Sequence, residues 1–423
     1  MANVVKRIVV EKLYDNYNYD ITFNEGGVTL ITGPNGYGKT TVLNIIKNAL
    51  ELNVWYFEEL LFNSITIFFQ SSLDGHRLQI KKVPSKKTNR YSDDSEPDDV
   101  IMSYYIPGEP KAKESFKLSD AIEEMGIPSH ILRMKENRSY YGDIYDSYKA
   151  RTRHNIFLSF RNLRMFLNDI NCLSIKEQRI QVEELDETDD TRNYTIVRLA
   201  EDLKNRYNIA KNKYTDESQK IDSSFIKRLL SKEYTHYDEA EYCKRIDELN
   251  KYVENYQRFG LISNFGFIGE YDQEFKPALS LYVEDMFEKI SVYDDFYRKL
   301  SLFNRFVNGK GLSNKKMVLD EQAGFKFVSD SGRDVPLHKL SSGEQNLVIL
   351  YYRLVFETKP NTLLLIDEPE NSLHVEWLQK MLNDYLVMEG DLGCQMIIAT
   401  HSVTFINSHW DIAYDLDGGS YQN

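Results

Sequence analysis

Cysteine is scarce: only Cys172, Cys243 and Cys394 occur among 423 residues, and they lie far apart. Neither a disulfide framework nor a Cys-x-x-Cys metal knuckle is available to the chain. Cys/His sets at metal-ligand spacing are missing too. No run approaches the ~18 apolar residues needed to span a bilayer, and the N-terminal Met1-Ala-Asn-Val-Val-Lys-Arg7 lacks the core of a signal peptide. These absences predict a reduced, cytoplasmic protein with no membrane segment. Positive charge is also in deficit, 52 basic against 65 acidic side chains for a net −13, which excludes a polybasic nucleic-acid glove. Any contact with DNA would need a local patch working against the global field. With 42% hydrophobic and 28% charged residues, wholesale disorder is excluded. The length is close to three times the ~150 residues of one typical domain, so one large domain with an insertion, or two to three domains, is expected.

Val4–Val10, Tyr19–Phe23 and Gly27–Ile31 have the composition of strands. A glycine-rich turn, Gly33-Pro-Asn-Gly-Tyr-Gly-Lys-Thr-Thr41, follows, then a helix over Val42–Leu50. Ser64–Phe69 and His76–Lys82 alternate as a hairpin would, with Asp74-Gly75 at its turn. Pro84–Asp99 is a polar loop, and Asn155–Phe160 reads as a strand leading into the basic turn Arg161–Arg164. From about Ile175 to Asn308 the composition turns polar and tyrosine-rich, with Ile196, Leu199, Leu203 and Tyr207 at helical spacing. Asp238–Phe259 and Phe275–Phe306 repeat that pattern, the former capped by Asp238 and closed by Gly260. The longest arm of this helical insertion is about 35 residues, roughly 50 Å at 1.5 Å per residue. Short strands at Met317–Gln322, Phe325–Val328 and Val335–Leu337 come next. Leu340–Gln345 opens a helix to about Phe356, Thr362–Asp367 is an apolar strand ending in acids, Val375–Met388 is a helix, and Met396–His401 is an apolar strand ending in histidine. The fold class is therefore α/β, a parallel core plus an antiparallel β subdomain, split by a helical insertion. The expected divisions are 1–174, 175–308 and 309–423.

Gly33–Thr40 fits G-x-x-x-x-G-K-[ST] and sits between a strand and a helix, where the chemistry needs it. Gly33, Gly36 and Gly38 let successive backbone N–H groups, with those of Asn35 and Thr41, converge on phosphates, and the helix N-terminus adds its dipole. Lys39 would reach the β- and γ-phosphates, and the Thr40 hydroxyl would ligate Mg²⁺. A nucleoside triphosphate, ATP, is the cofactor this implies. Asp367 and Glu368 at a strand tip would hold Mg²⁺ and polarise the attacking water, respectively. Leu340-Ser-Ser-Gly-Glu-Gln345 starts a helix, so Ser341, Ser342, Gly343 and Glu344 form a second anion-binding segment, or, read in isolation, an ordinary Ser/Gly cap. His401 is placed to bond the γ-phosphate or the water.

In this order, the motifs resemble those of an ABC-type ATPase head: Walker A at Gly33–Thr41, signature at Leu340–Gln345, Walker B at Leu363–Glu368 and a switch histidine at His401. The Ser-Ser-Gly-Glu signature is similar to that of the SMC/RecF/OLD group. The string Asp367-Glu-Pro-Glu-Asn-Ser-Leu-His374, with Trp377, Ala399-Thr-His-Ser402 and Trp410, resembles OLD-like (AAA_15/AAA_21-type) ATPases of bacterial anti-phage systems such as PARIS, Septu and the retron-associated ones. The resemblance covers roughly residues 1–50 and 310–415 and is only architectural across the insertion. It implies catalysis by Glu368 and His401, and ATP sandwiched between two subunits of a homodimer or higher homo-oligomer. It also implies a D-loop at Asn371–His374 that reaches the partner's site.

The sequence departs from that pattern in places. No single Q-loop stands out: Gln70, as an added Mg²⁺ ligand, competes with Arg161. Tyr14, Tyr17 and Tyr19 are each candidates to stack on adenine. The OLD nucleases carry a Toprim domain after the switch histidine, whereas only residues 402–423 follow His401 here. ATP hydrolysis without nuclease activity is expected, with a separate effector, a nuclease, as partner. Ile131–Phe166 interleaves Arg133, Lys135, Arg138, Lys149, Arg151, Arg153, Arg161 and Arg164 with tyrosines, the texture of a DNA-tracking surface or of a solvated ion-paired face. The leading reading is thus the ATPase subunit of a defence complex triggered by DNA or a phage protein. A RecF-like DNA-repair ATPase is the alternative, and a scaffold with vestigial turnover a third.

Overall fold

The computed structural model describes residues 4–24, 27–70, 75–83, 98–124, 152, 155–156, 158–168, 170–175, 195–231, 235–263, 270–371 and 373–420. The loop expected at Pro84–Asp99, the turn residue Asp74 and most of the basic stretch (Arg133 to Arg153) lie outside them, apart from the last two residues of that loop.

The strands are β1 (Val4–Leu13), β2 (Tyr17–Thr22), β3 (Val28–Thr32), β4 (Ser64–Gln70), β5 (Arg77–Val83), β6 (Asp99–Tyr105), β7 (Glu114–Lys117), β8 (Asn171–Ile175), β9 (Lys315–Asp320), β10 (Gly324–Ser329), β11 (Asp334–Val335), β12 (Thr362–Asp367), β13 (Gln395–Ala399), β14 (Ala413–Asp415) and β15 (Gly419–Ser420). The principal helices are α1 (Lys39–Leu50), α2 (Thr195–Ser231), α3 (Glu239–Arg258), α4 (Lys276–Ser291), α5 (Asp294–Asn308), α6 (Ser342–Tyr352) and α7 (Val375–Leu392). Contacts divide the chain into two compact units. One comprises residues 1–177, 358–371 and 375–423, the other residues 178–357 and 372–374.

The first unit holds two six-stranded sheets. In the order β15-β14-β3-β13-β12-β8, every neighbouring pair is parallel except β14 with β15. All five residues of β3 and of β13 are buried, as are the first five of β12. Such unbroken apolar runs suit parallel strands covered on both faces, each buried Leu or Ile contributing roughly 1.5–3 kcal/mol. The second sheet, β2-β1-β4-β5-β6-β7, is wholly antiparallel. Its β6 alternates buried and half-buried positions, as a strand with one covered face should. The buried Gln395 amide ties the sheets together, accepting from Val5 N at 3.1 Å and donating to Val5 O at 2.8 Å. It serves β1 as a neighbouring backbone would, so neither polar group is buried unpaired.

Two expectations need correction here. Asn155–Phe160 is not a strand: residues 155–156 and 158–159 are helical, and Arg161–Leu167 is a helix, not a turn. Ile156, Phe160, Leu163 and Leu167 are the buried positions, and their spacing of four, three and four is a helical period, which the short apolar run at 155–160 hid. The edge strand β8, parallel to β12, was not anticipated. Its five residues Asn171-Cys-Leu-Ser-Ile175 are too few and too mixed to announce a buried strand.

In the second unit, α2 runs 37 residues, about 56 Å. Its buried stripe is Ile196, Ala200, Leu203 and Tyr207, then only Ile221. Further along, charge replaces apolar packing: Asp285 of α4, 2% exposed, receives both Arg228 guanidinium nitrogens at 2.6 and 2.7 Å, and Lys289 meets Asp222 at 2.6 Å. Asp238 caps α3 in a reciprocal capping box with Glu241, as its position predicts. Phe275–Phe306 is two helices, α4 and α5, instead of one. The apolar period runs unbroken through buried Ile290 and Tyr293, and only Asp294 and Asp295 in the next first turn mark the joint. β9, β10 and β11 form a small antiparallel sheet beside α2. Gly324 (φ +74°) is required there, because a Cβ would sit 2.0 Å from Ala200 O.

Candidate functional site

Because β3, β13 and β12 are parallel neighbours, their C-terminal ends share one edge of the sheet. The register aligns Ile31 with Ala399, and Ala399 with Asp367. Residues just beyond that row, Thr32-Gly33, Thr400-His401 and Glu368, therefore emerge together, in the place where open parallel sheets hold ligands.

The turn after β3 wraps as a phosphate loop does. Gly33, Gly36 and Gly38 have φ of 138°, 90° and 84°, values that side chains resist. A Cβ at Gly33 would also press on Asp415 and Leu416 at 3.3 Å. Asn35 and Gly36 are exposed at the crest, whereas Lys39 is 5% exposed. The Lys39 ammonium donates to the carbonyls of Gly33 at 2.9 Å and Pro34 at 3.2 Å, spanning the loop from within. Thr40 Oγ1 donates to Asp367 Oδ1 at 3.1 Å, joining residues 327 positions apart. Thr41 Oγ1 lies 3.3 Å from the Tyr14 hydroxyl.

The tyrosines divide by burial. Tyr19 is 4% exposed and donates to Tyr37 O, a strut beneath the loop, and burial pushes its hydroxyl pKa up. Tyr17 stacks on Tyr19 and leans over Tyr37. Tyr14, 40% exposed, meets the loop through its hydroxyl at Thr41. The neighbouring Asp417 carboxylate raises the Tyr37 hydroxyl pKa. Leu416 N donates to Thr32 O at 2.9 Å, which holds the Asp415–Asp417 turn beside the loop.

At the tip of β12, Glu368 adopts φ +46°, a strained conformation of the kind found at functional sites. Its N–H donates to Ala399 O at 2.9 Å. Both carboxylate oxygens have neighbours: Asn371 Nδ2 donates to Oε2 at 2.6 Å, and His401 Nδ1 lies 3.5 Å from Oε1. The same imidazole nitrogen is 3.5 Å from Oε1 of the buried Glu370. The structure thus brings Gly33–Thr41, Asp367, Glu368 and His401 into one cluster. Glu370 and Asn371 belong to it as well. By sequence, Asn371 has only a D-loop role toward a partner and Glu370 has none; the signal for Glu370 is a third carboxylate two residues past Glu368 on a tip already crowded with acids.

Gln70 ends β4 opposite Val4 in the antiparallel sheet, and Arg161 is exposed in the first turn of the helix Arg161–Leu167. The signature lies in the second unit. Ser341 caps α6, accepting from Glu344 N at 3.3 Å, while Glu344 accepts from Ser341 N at 2.9 Å. Ser341 and Ser342 are exposed and Gly343 half-buried. Glu344 is 6% exposed, turned inward onto the Lys315 ammonium at 2.8 and 3.0 Å. Burial pushes its carboxyl pKa up, but the bonds from Lys315 and Ser341 outweigh that and hold it below its ordinary value. Among the described residues no group of three or more His, Cys, Asp or Glu could cage a metal, and no helix is long and apolar enough to cross a membrane.

A family model described as "AAA domain, putative AbiEii toxin, Type IV TA system" matches residues 186–407, just over half the chain. The chain belongs to the AAA_21 family. The match takes in α2 to α7, the signature, both acids of β12 and His401, and begins after the phosphate loop. AAA_21 chains are not alone in resembling this one: the ATP-binding protein Uup of Haemophilus influenzae is 36% identical over 112 residues, 26% of this chain. The matched segment is 16% of Uup, about a sixth of its length. Among solved structures, the Smc head domain of Pyrococcus furiosus, with an extended coiled coil and bound to the C-terminal domain of ScpA, aligns over 96% of this chain and 91% of its own. Its identity is 14% and its TM-score 0.41. The SMC head domain of Thermotoga maritima aligns over 95% and 90%, at 15% identity and a TM-score of 0.35. This AAA_21 chain thus carries an AAA domain on a mixed α/β fold, with a run of helices, α2 to α5, between its phosphate loop and its signature.

Proposed function

We propose that this AAA_21 chain is the ATP-hydrolysing subunit of a cytoplasmic bacterial anti-phage defence complex, which senses an invader and licenses a separately encoded effector, a nuclease. The observation that carries the ATPase part is the 3.1 Å bond between Thr40 and Asp367, with Glu368 and His401 on the adjoining strand tips. The defence setting draws its support from the motif string Asp367–His374 and from a family description that names a toxin–antitoxin system.

The loop amides and Lys39 hold the phosphates, and Glu368 orients a water in line with the γ-phosphorus and takes its proton. His401, beside Glu368, steadies the water or a γ-phosphate oxygen. Thr40 Oγ1 and Asp367 Oδ1 are hard oxygen donors side by side, and among the described residues no all-protein cage surrounds them. That suits Mg²⁺, which keeps waters and phosphates among its ligands. Bound there by Thr40 and Asp367, Mg²⁺ supplies charge neutralisation of the phosphates. The purified chain should hydrolyse ATP with Mg²⁺ and, by itself, leave DNA and RNA intact. Co-purification with the product of the neighbouring gene tests the partner. Metal-dependent cleavage that stays with the chain through purification would overturn the division of labour.

The second phosphate-binding segment, Ser341–Gly343, lies in the other compact unit from Lys39 and Asp367. On our reading it serves a second subunit's nucleotide, so that ATP is shared in a head-to-tail homodimer. Mixing Lys39→Ala with Ser341→Arg subunits, each inactive alone, should restore part of the ATPase activity. One interface of the mixed dimer then pairs an intact phosphate loop with an intact signature. Full activity in a verified monomer would refute the shared site.

A further inference from the structure

The Glu370 side chain is 5% exposed. A carboxylate taken out of water needs compensation, and the bonds it accepts have one destination. Oε1 accepts from Thr400 Oγ1 at 2.6 Å and from His401 N at 3.0 Å, and lies 3.5 Å from His401 Nδ1. Oε2 accepts none among the described residues. Glu370 extends from the tip of β12, while Thr400 and His401 form the tip of β13 beside it. The carboxylate therefore bolts one strand tip to the next and does nothing else polar in the described structure. A side chain whose purpose was only to stabilise the sheet would gain more as an apolar residue of the same volume, since a buried charge seldom outperforms packing. The Thr400 hydroxyl is itself completed by Ser402 N, which donates to it at 3.1 Å. Residues 400 and 401 are thus held by Glu370 Oε1 directly, and Ser402 through the Thr400 hydroxyl.

We propose that Glu370 is a positioning residue for ATP hydrolysis: it fixes the Thr400–His401 segment so that the His401 imidazole stays at the Glu368 carboxylate. The inference rests on the reading of this site as an ATPase centre. Nothing in it requires Glu370 to touch nucleotide. Without Glu370 the backbone at 401 loses its anchor and the ring loses one of the two carboxylates between which it stands. ATP binding, which depends on the phosphate loop, is left alone.

The test is a set of steady-state ATPase measurements on the full chain. Glu370→Ala should lower kcat by about 10- to 100-fold, the usual cost of removing a group that orients a functional side chain, with KM for ATP unchanged. Glu370→Gln keeps an amide oxygen in the place of Oε1, so it should recover most of that loss. In a His401→Ala background, Glu370→Ala should have no further effect, because its route to the chemistry is gone. If Glu370→Ala does not fold by thermal melting, Thr400→Val removes one donor to the same oxygen. It should then show a smaller kcat defect, again absent in the His401→Ala background. Wild-type kcat in Glu370→Ala, or a loss that adds in full to that of His401→Ala, overturns the inference and leaves the ATPase reading standing. A wild-type chain that cannot turn over ATP overturns both.

Discussion

Lys39→Ala is expected to weaken ATP binding by about 10²–10⁴-fold and to remove measurable turnover. The Lys39 ammonium is almost wholly buried and bonds to the Gly33 and Pro34 carbonyls, so it is already inside the loop that closes around the phosphates. An ammonium has three donors, and a triphosphate entering the loop would draw them onto its β- and γ-oxygens. Charged hydrogen bonds contribute about 1.5–3 kcal/mol each. Losing two of them amounts to roughly 3–6 kcal/mol, which at about 1.4 kcal/mol per tenfold gives the stated range. The loop should survive, because its shape is set by the positive φ angles of Gly33, Gly36 and Gly38 and by the Tyr19 strut beneath it. Calorimetry with a non-hydrolysable ATP analogue, beside a thermal melt to show that the fold is intact, measures the effect. Unchanged affinity in a folded variant would remove the phosphate-loop assignment, and with it the ATPase reading.

What was legible in the sequence was what is local. The phosphate loop, the apolar strands β3, β12 and β13 and the capped starts of α3 and α6 each announce themselves within a dozen residues. Parallel pairing then follows from continuous burial, and the common edge from parallel pairing. That chain of steps was enough to place Lys39, Asp367, Glu368 and His401 together. Other features escaped it, and three of them show the physical reason. β8 is a short edge strand whose identity depends on β12 beside it. The helical turns at 155–160 presented an apolar run too short to show its period. Glu370 acts across strand tips, and a carboxylate bonded to a backbone N–H thirty-one positions away leaves no local pattern.

The helical insertion illustrates the same limit. Its long polar arm, α2, was legible as helix from the spacing of Ile196, Leu203 and Tyr207. The break between α4 and α5 was not, since the buried stripe continues across Val292-Tyr293. The Arg228–Asp285 pair holding the far part of α2 to α4 joins residues 57 apart, and charges of opposite sign are too common in this stretch for the right pair to be chosen in advance.

Glu368→Gln should hold ATP with near-normal affinity while hydrolysis falls by about 10²–10⁴-fold, the range for removing a general base. Glutamine has the length of glutamate, and its amide oxygen can still accept from Asn371 Nδ2, which donates to Oε2 at 2.6 Å in the parent. The amide NH₂ then faces His401 Nδ1 in place of Oε1, a contact that a neutral imidazole can accept. The backbone at φ +46° is no worse for glutamine than for glutamate, so the bond from residue 368 N to Ala399 O and the line of the strand tip persist. Asp367 and Thr40 are untouched, and the phosphates keep their ligands. What is lost is a single negative charge able to take a proton from water. The two effects should therefore separate cleanly: KM or Kd for ATP preserved, kcat reduced, and nucleotide accumulating on the protein as unhydrolysed ATP in a closed dimer. Single-turnover measurements with labelled ATP, alongside the mass of the nucleotide-bound species, test both halves. Turnover at the wild-type rate would place the base elsewhere, with Glu370 and His401 as the nearest groups to try. Loss of ATP binding would instead mean that Glu368 belongs to the nucleotide's cradle and not to the attacking side.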